Sequence, residues 1–195
     1  MTSSNQPKTN LADFLQQFSK EYINRYQHVH SHLPKIEHDD EWPSPCEKLV
    51  DNEHVLSSAR EVFWQPVKIG EELNFENVEK ALEMTLHPDV NTYFTTLYSD
   101  SIDATHEEGD LSLLFAWNKD DFQRLQENLI GHILMKQRLK QAETVFFAVT
   151  DEEDMIISID NNTGSVWVEQ VGCKPHKKLA DSLAQFISEL VPKVN

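Results

Sequence analysis

Four histidines crowd one stretch of the chain: His28, His30, His32 and His38. On a helix, His28 and His32 share a face as an i, i+4 pair, while His30 points away. Metal binding needs further donors at set spacings; no Glu or Cys stands at one, and no HExxH pattern occurs. A solvated, histidine-rich helix end accounts for the group, so no metal is expected. His132, in Gln126-Glu127-Asn128-Leu129-Ile130-Gly131-His132, is of the type that serves as a general base. No Ser or Cys nucleophile lies beside it in sequence, and a buried or half-buried structural histidine is the simpler reading. Cys46 and Cys173 are far apart and show no CxxC or CxxH spacing, which suits reduced thiols in a cytoplasmic protein. Five glycines leave little material for a phosphate-cradling loop. Carboxylates are so abundant that any pair could be imagined as acid and base, and abundance robs that idea of force. No catalytic residue and no cofactor is expected, and the chain reads as a binding protein, not an enzyme.

The clustering of charge says more. Of 195 residues, 33 are acidic and 17 basic, a formal net charge of -16. Asp100, Asp103, Glu107, Glu108 and Asp110 fall within eleven residues that hold no Lys or Arg. Glu37, Asp39, Asp40 and Glu41 make a second run, and Asp151 to Asp154 a third. Each run alone reads as a solvated loop; together they form a surface that steers a basic partner. Nucleic acid is excluded, because phosphate backbones need arrays of Lys and Arg. Bare anionic lipid is repelled too, and no stretch approaches the roughly 18 apolar residues of a membrane span. Direct insertion into lipid is therefore not expected.

The elements that must position these acids can be read from periodicity. Residues 1–9 read as a flexible leader, with no basic n-region or apolar h-region, and 10–195 as a single domain. Asn10 caps a helix with Asp13 three residues on, and Leu11, Phe14, Phe18, Tyr22 and Tyr26 give its apolar stripe. Residues 31–58 look irregular, and Val62-Phe63-Trp64 a short strand ended by Pro66. Asn74 suits the cap of a helix carrying Phe75, Val78, Ala81 and Leu82, and Pro88 the first turn of another. Alternation through Leu111, Leu113, Phe115 and Trp117 predicts the return strand of a hairpin.

The strongest helix starts at Asn118, with Asp121 at its third position and Asp120 and Asp121 where the helix dipole favours acids. Phe122, Leu125, Leu129 and Ile133 form its buried face, with Ile130 and Leu134 widening it. Lys136, Arg138 and Lys140 sit as cations at its end. Val145 to Val149 reads as a central strand covered on both faces. Met155–Asp160 and Ser165–Gln170 form a hairpin across Asn161-Asn162-Thr163-Gly164. A last helix is expected over 176–190, with Leu179, Leu183, Phe186 and Leu190 inward. The fold class is α+β, or mixed α/β: a mainly antiparallel sheet packed with helices in one domain.

Several segments are similar to those of the Syd family. They are Pro43-Ser44-Pro45-Cys46, Phe63-Trp64-Gln65-Pro66, Phe94-Thr95-Thr96, Trp117 with Asp120-Asp121-Phe122, Arg124 with Gln126 through His132, and Leu179-Ala180 with Leu183-Ala184-Gln185-Phe186. They run in the family's order from about residue 43 to 186. The loops 37–41 and 102–108 match none of its motifs. The resemblance implies a SUKH-type α/β fold and a protein that binds SecY, the channel subunit of the bacterial translocon. It implies a monomer, peripheral on the cytoplasmic face of the inner membrane through SecY, that monitors translocon assembly. A concave acidic surface would meet the basic cytosolic loops of SecY, rich in Lys and Arg by the positive-inside rule. The acids nearest the matched segments are Asp100, Asp110, Asp120, Asp121 and Glu127, with Trp64 as an aromatic neighbour. A second reading is a SUKH-type immunity protein that neutralises a basic toxin; a hydrolase using His132 is a distant third.

Overall fold

Capping chemistry opens the structure, a computed structural model that describes residues 10–48 and 61–194. The expected leader and residues 49–60 lie outside the described part. In α1 (Leu11–His30) the Asn10 side chain accepts the Asp13 amide at 3.0 Å and the Asp13 carboxylate accepts the Asn10 amide at 3.4 Å, a capping box as expected. The buried stripe runs through Leu11, Leu15, Phe18 and Tyr22.

The segment expected to be irregular contains two short strands. β1 (Lys35–Glu37) and β2 (Glu47–Lys48) flank β3 (Glu61–Trp64) in a small antiparallel sheet. With three and two residues, mostly charged, they carry no alternation that sequence periodicity could register. β4 (Val67–Lys68) pairs with β5 (Leu97–Tyr98), and the chain between them folds into α2 (Glu76–Leu82) and α3 (Pro88–Thr96). Asn74 accepts the Glu76 amide at 3.1 Å, one residue earlier than a cap position, since Phe75 is the boundary residue. Pro88 opens α3 as expected, and His87 caps it by accepting the Asp89 amide.

The main body is a seven-stranded antiparallel sheet. β6 (Ile102–His106) and β7 (Gly109–Leu113) form a hairpin, followed by α4 (Lys119–Arg138) and β8 (Thr144–Thr150). β9 (Met155–Asp160), β10 (Val166–Gln170), β11 (Lys177–Ala180), α5 (Leu183–Glu189) and β12 (Val191–Pro192) complete it, in the order β11-β10-β9-β8-β7-β6-β12. β8 is central, as expected. At the β9–β10 turn Gly164 has φ +73, and a Cβ there would come within 2.5 Å of His87 Nε2. Asn161 adds a bond from the His87 amide at 2.8 Å, so the hairpin tip docks on the start of α3. The strands, α2–α5 and much of α1 share one hydrophobic core, and the fold is mixed α/β, as expected.

Partners across an antiparallel pair share a face. Ile102, Ala104 and His106 therefore face the core with Leu111 and Leu113, while Asp103 and Thr105 stand on the opposite face with Ser112 and Asp110. Three expected elements differ. The strand predicted to continue to Trp117 ends at Leu113, where the chain leaves the sheet to place Trp117 against Trp64 before α4. The helix predicted over 176–190 is divided. Lys177–Ala180 pairs along the free edge of β10, and a new helix starts at Ser182, whose side chain accepts the Gln185 amide. Leu134 is exposed, leaving the buried stripe of α4 to Phe122, Leu129 and Ile133.

Candidate partner-binding surface

The start of α4 is held by three residues. Asn118 Oδ1 accepts the Asp121 amide at 2.8 Å, and Asn118 Nδ2 donates to the Pro43 carbonyl at 2.9 Å. The Asp121 carboxylate accepts the Trp117 amide at 2.9 Å. Asp121 is thus fixed within reach of Asp100, in the loop after β5, which also feels Asp103 on the outer face of β6. Burial raises the Asp100 carboxyl above its usual range, and the charges of Asp103 and Asp121 push it in the same direction. Tyr22 is pushed up to about 12 by burial, then by Tyr26, Asp103 and Asp100. Tyr22 thus senses both Asp100 and Asp103, and Asp100 senses both Asp103 and Asp121.

No Lys or Arg among the described residues forms an ion pair with Asp100, Asp103 or Asp121. Their partners are neutral donors: the Ser101 amide for Asp100, the Ser112 hydroxyl for Asp103 and the Trp117 amide for Asp121. Tyr22, which feels Asp100 and Asp103, and Trp117, which donates to Asp121, are joined through Trp64, stacked on Tyr22 at 6.2 Å and edge-on to Trp117 at 5.9 Å. Trp64 is only 3% exposed, so it is part of the aromatic core and offers no surface to a partner.

The remaining expected acids are placed differently. Asp110 bonds Lys193 Nζ at 2.7 Å and the Thr105 hydroxyl at 2.8 Å, and those bonds hold its carboxyl below the usual range. Lys193 also feels Asp103 and Asp151, so its charge is set among several acids. Asp120 and Glu127 are seven positions apart on α4, opposite its buried stripe and exposed to solvent. Asp120 and Asp121, adjacent in sequence, thus face different surroundings. Asp103, which belongs with Asp100 and Asp121, carries no signal in the sequence beyond its membership of an acidic run.

A second group of charges is fully inside. Lys136, expected as a cation complementing the dipole at the helix end, is 0% exposed and bonds Glu169 Oε2 and the Cys173 carbonyl, both at 2.8 Å. Glu169 Oε1 accepts the hydroxyls of Thr144 at 2.7 Å and Ser158 at 2.9 Å. Because the Thr144 proton goes to Glu169, His132 Nε2 donates to Thr144 Oγ1 across 3.1 Å. Burial alone would raise the Glu169 carboxyl, but the bonds from His132, Lys136 and Thr144 outweigh it and bring it to about 2. This is a structural network, and it gives His132 the buried role expected of it. The other histidines serve locally: His30 packs on Tyr26, His32 on Phe63, and His38 bridges Glu47 at 2.6 Å and Asp40 at 3.1 Å. Cys46 is buried, its thiol pushed up to about 11 by desolvation, and Cys173 is exposed.

Comparison with known sequences bears on these landmarks directly. Residues 12–192 match the family described as Syd protein (SUKH-2). The chain is 60% identical to Protein Syd of Colwellia psychrerythraea, over 99% of this chain and 96% of that one. It is 42% identical to Protein Syd of Pseudoalteromonas atlantica, over 93% and 94%, and 48% identical to that of Alteromonas mediterranea, over 91% and 94%. The chain belongs to the Syd family. The segments that carry the Syd resemblance have structural work. Pro43 and Ser44 clasp Asn118 and Trp117 at the mouth of α4, and His132 reaches the Glu169 network from the same helix. Syd-family landmarks therefore build both the support under the acids and the anchor of the helix beside them.

Proposed function

We propose that this Syd-family protein binds SecY from the cytoplasmic side, as a regulator or quality-control monitor of translocon assembly, by association and not by catalysis. The observation that supports this most is the trio Asp100, Asp103 and Asp121: each is held by neutral donors, the charges of two act on the third, and none forms an ion pair with a Lys or Arg among the described residues. Carboxylates in that state are relieved by an approaching Lys or Arg, and the long-range field of a chain of charge -16 steers such a partner in. No helix among the described residues is long and apolar enough to cross a membrane. In this reading attachment to the membrane comes from the partner, whose cytosolic loops are basic.

The test is co-sedimentation with membranes that overproduce SecY, across a salt series. Binding weakens sharply between low and physiological salt, where the screening length falls to about 8 Å. Replacing Asp100, Asp103 and Asp121 together by Asn lowers affinity about tenfold, from several tenths of a kcal/mol per exposed pair. Binding that ignores both salt and the triple substitution would sink the proposal.

A further inference from the structure

The sheet is strongly rolled. Three strands separate β11 from β7, four strand spacings or about 19 Å in a flat sheet. Yet Lys177 of β11 forms an ion pair with Glu108 in the turn before β7. The rolled sheet leaves an open mouth at one end, where the β6–β7 turn, the β8–β9 turn and the start of β11 converge. In that mouth lies a cavity of about 200 Å³. Its lining is mainly apolar, with Leu111, Met155, Ile157, Val168 and Leu179, and the buried ring of His106 also reaches it. Its rim carries Glu108, Asp110, Asp151 and Glu152.

The volume is below the roughly 300 Å³ at which small-molecule pockets begin, and it suits one side chain. The charge on the rim selects what flanks that side chain. Glu108 and Asp110 are balanced by Lys177 and Lys193, whereas Asp151 and Glu152 have no Lys or Arg ion pair among the described residues. The mouth is thus mainly apolar inside and negative in balance outside. It also continues the acidic band of Asp100, Asp103 and Asp121, because Asp110 sits on its rim and its ion-pair partner Lys193 donates its backbone amide to the Asp103 carbonyl at 2.9 Å.

We infer that this cavity is an anchor socket: it takes one aliphatic side chain, of leucine size, from a Lys- and Arg-rich extended segment whose cations lie along the acidic band. The inference rests on the reading of that band as the site for a basic partner. Charge brings the segment in, and the socket sets its register and its residence time.

The experiment titrates the intact chain with two fluorescent peptides, KKKLKKK and KKKSKKK, at low salt by anisotropy. The leucine peptide binds about tenfold tighter, the effect of burying most of one leucine side chain. Leu179→Phe fills the socket and abolishes that ratio while the serine peptide keeps its affinity. Met155→Phe, from the opposite wall, does the same and guards against a folding defect in the first variant. Equal affinities for the two peptides, or a leucine preference that survives both fillings, overturn the socket alone. The triple Asn variant at 100, 103 and 121 separates the two ideas. If it weakens both peptides in step with the ratio intact, both ideas stand. If it leaves the serine peptide unaffected, the acidic-band reading falls and takes the socket with it.

Discussion

Glu169 and Asp100 are both carboxylates partly or wholly removed from water, and the fold treats them in opposite ways. Glu169 sits at 0% exposure with an ammonium and two hydroxyls turned toward it, and its carboxyl falls to about 2. Asp100 has only the Ser101 amide and hydroxyl, with Asp103 and Asp121 as neighbours, and its carboxyl rises. Where the protein supplies donors, the acid is part of the core. Where it withholds them, the acid costs stability that a cationic partner can return.

The largest effect separating the two regions should come from Glu169→Ala. It strands the Lys136 ammonium in the core and is expected to cost about 3–5 kcal/mol in chemical denaturation. Pairing it with Lys136→Met should recover much of that loss. A cost under about 1 kcal/mol would show that Lys136 escapes to water and would break the comparison.

Acid should expose the same asymmetry. A carboxyl held at about 2 when folded, against an ordinary 4.5, contributes stability above the higher value that is lost as pH falls toward the lower. Asp100 has the opposite sign: its raised value favours the fold at low pH and opposes it as pH rises. Thermal melts in Glu169→Gln should therefore lose the steep decline between about pH 4.5 and 2, while Asp100→Asn keeps it.

Asn118→Ala tests the support beneath the surface acids. It removes the helix cap and the tie to Pro43 together, for about 1–2 kcal/mol, and frees Asp121 to move. Affinity for SecY-containing membranes should fall with it. The smallest effect is the most diagnostic: Asp100→Asn should raise stability by about 0.5 kcal/mol at neutral pH while weakening binding. Loss of stability there would mean that Asp100 is structural after all.

How much of the molecule is legible in its sequence depends on how locally each feature is encoded. The Asn10–Asp13 box, the start of α4 at Asn118 and the four-residue turn before Ser165 involve neighbours within four positions, and all stand where expected. The Syd segments mark the right helix. Contacts between residues distant in sequence leave no such local trace. Lys136 looks like a helix-end cation until Glu169, 33 residues on, meets it. Lys177–Ala180 has helical spacing with Leu183 and Phe186, and only the open edge of β10 makes it a strand. Trp64 reads as an aromatic beside acids, and Tyr22 and Trp117 bury it. Asp120 and Asp121 cannot be told apart by composition, whereas the roughly 100° step between neighbours on a helix turns them to different surroundings.

The rolled sheet stops short of closing, so it has two outer strands, and unpaired backbone there is a template for another copy. One outer strand is β11, beginning with Lys177 and Lys178; the other is two-residue β12, where Pro192 has no amide hydrogen and Lys193 comes next. Charge at one border and a missing donor at the other both oppose strand addition. A chain built on so long an antiparallel sheet is thereby discouraged from polymerising through its borders.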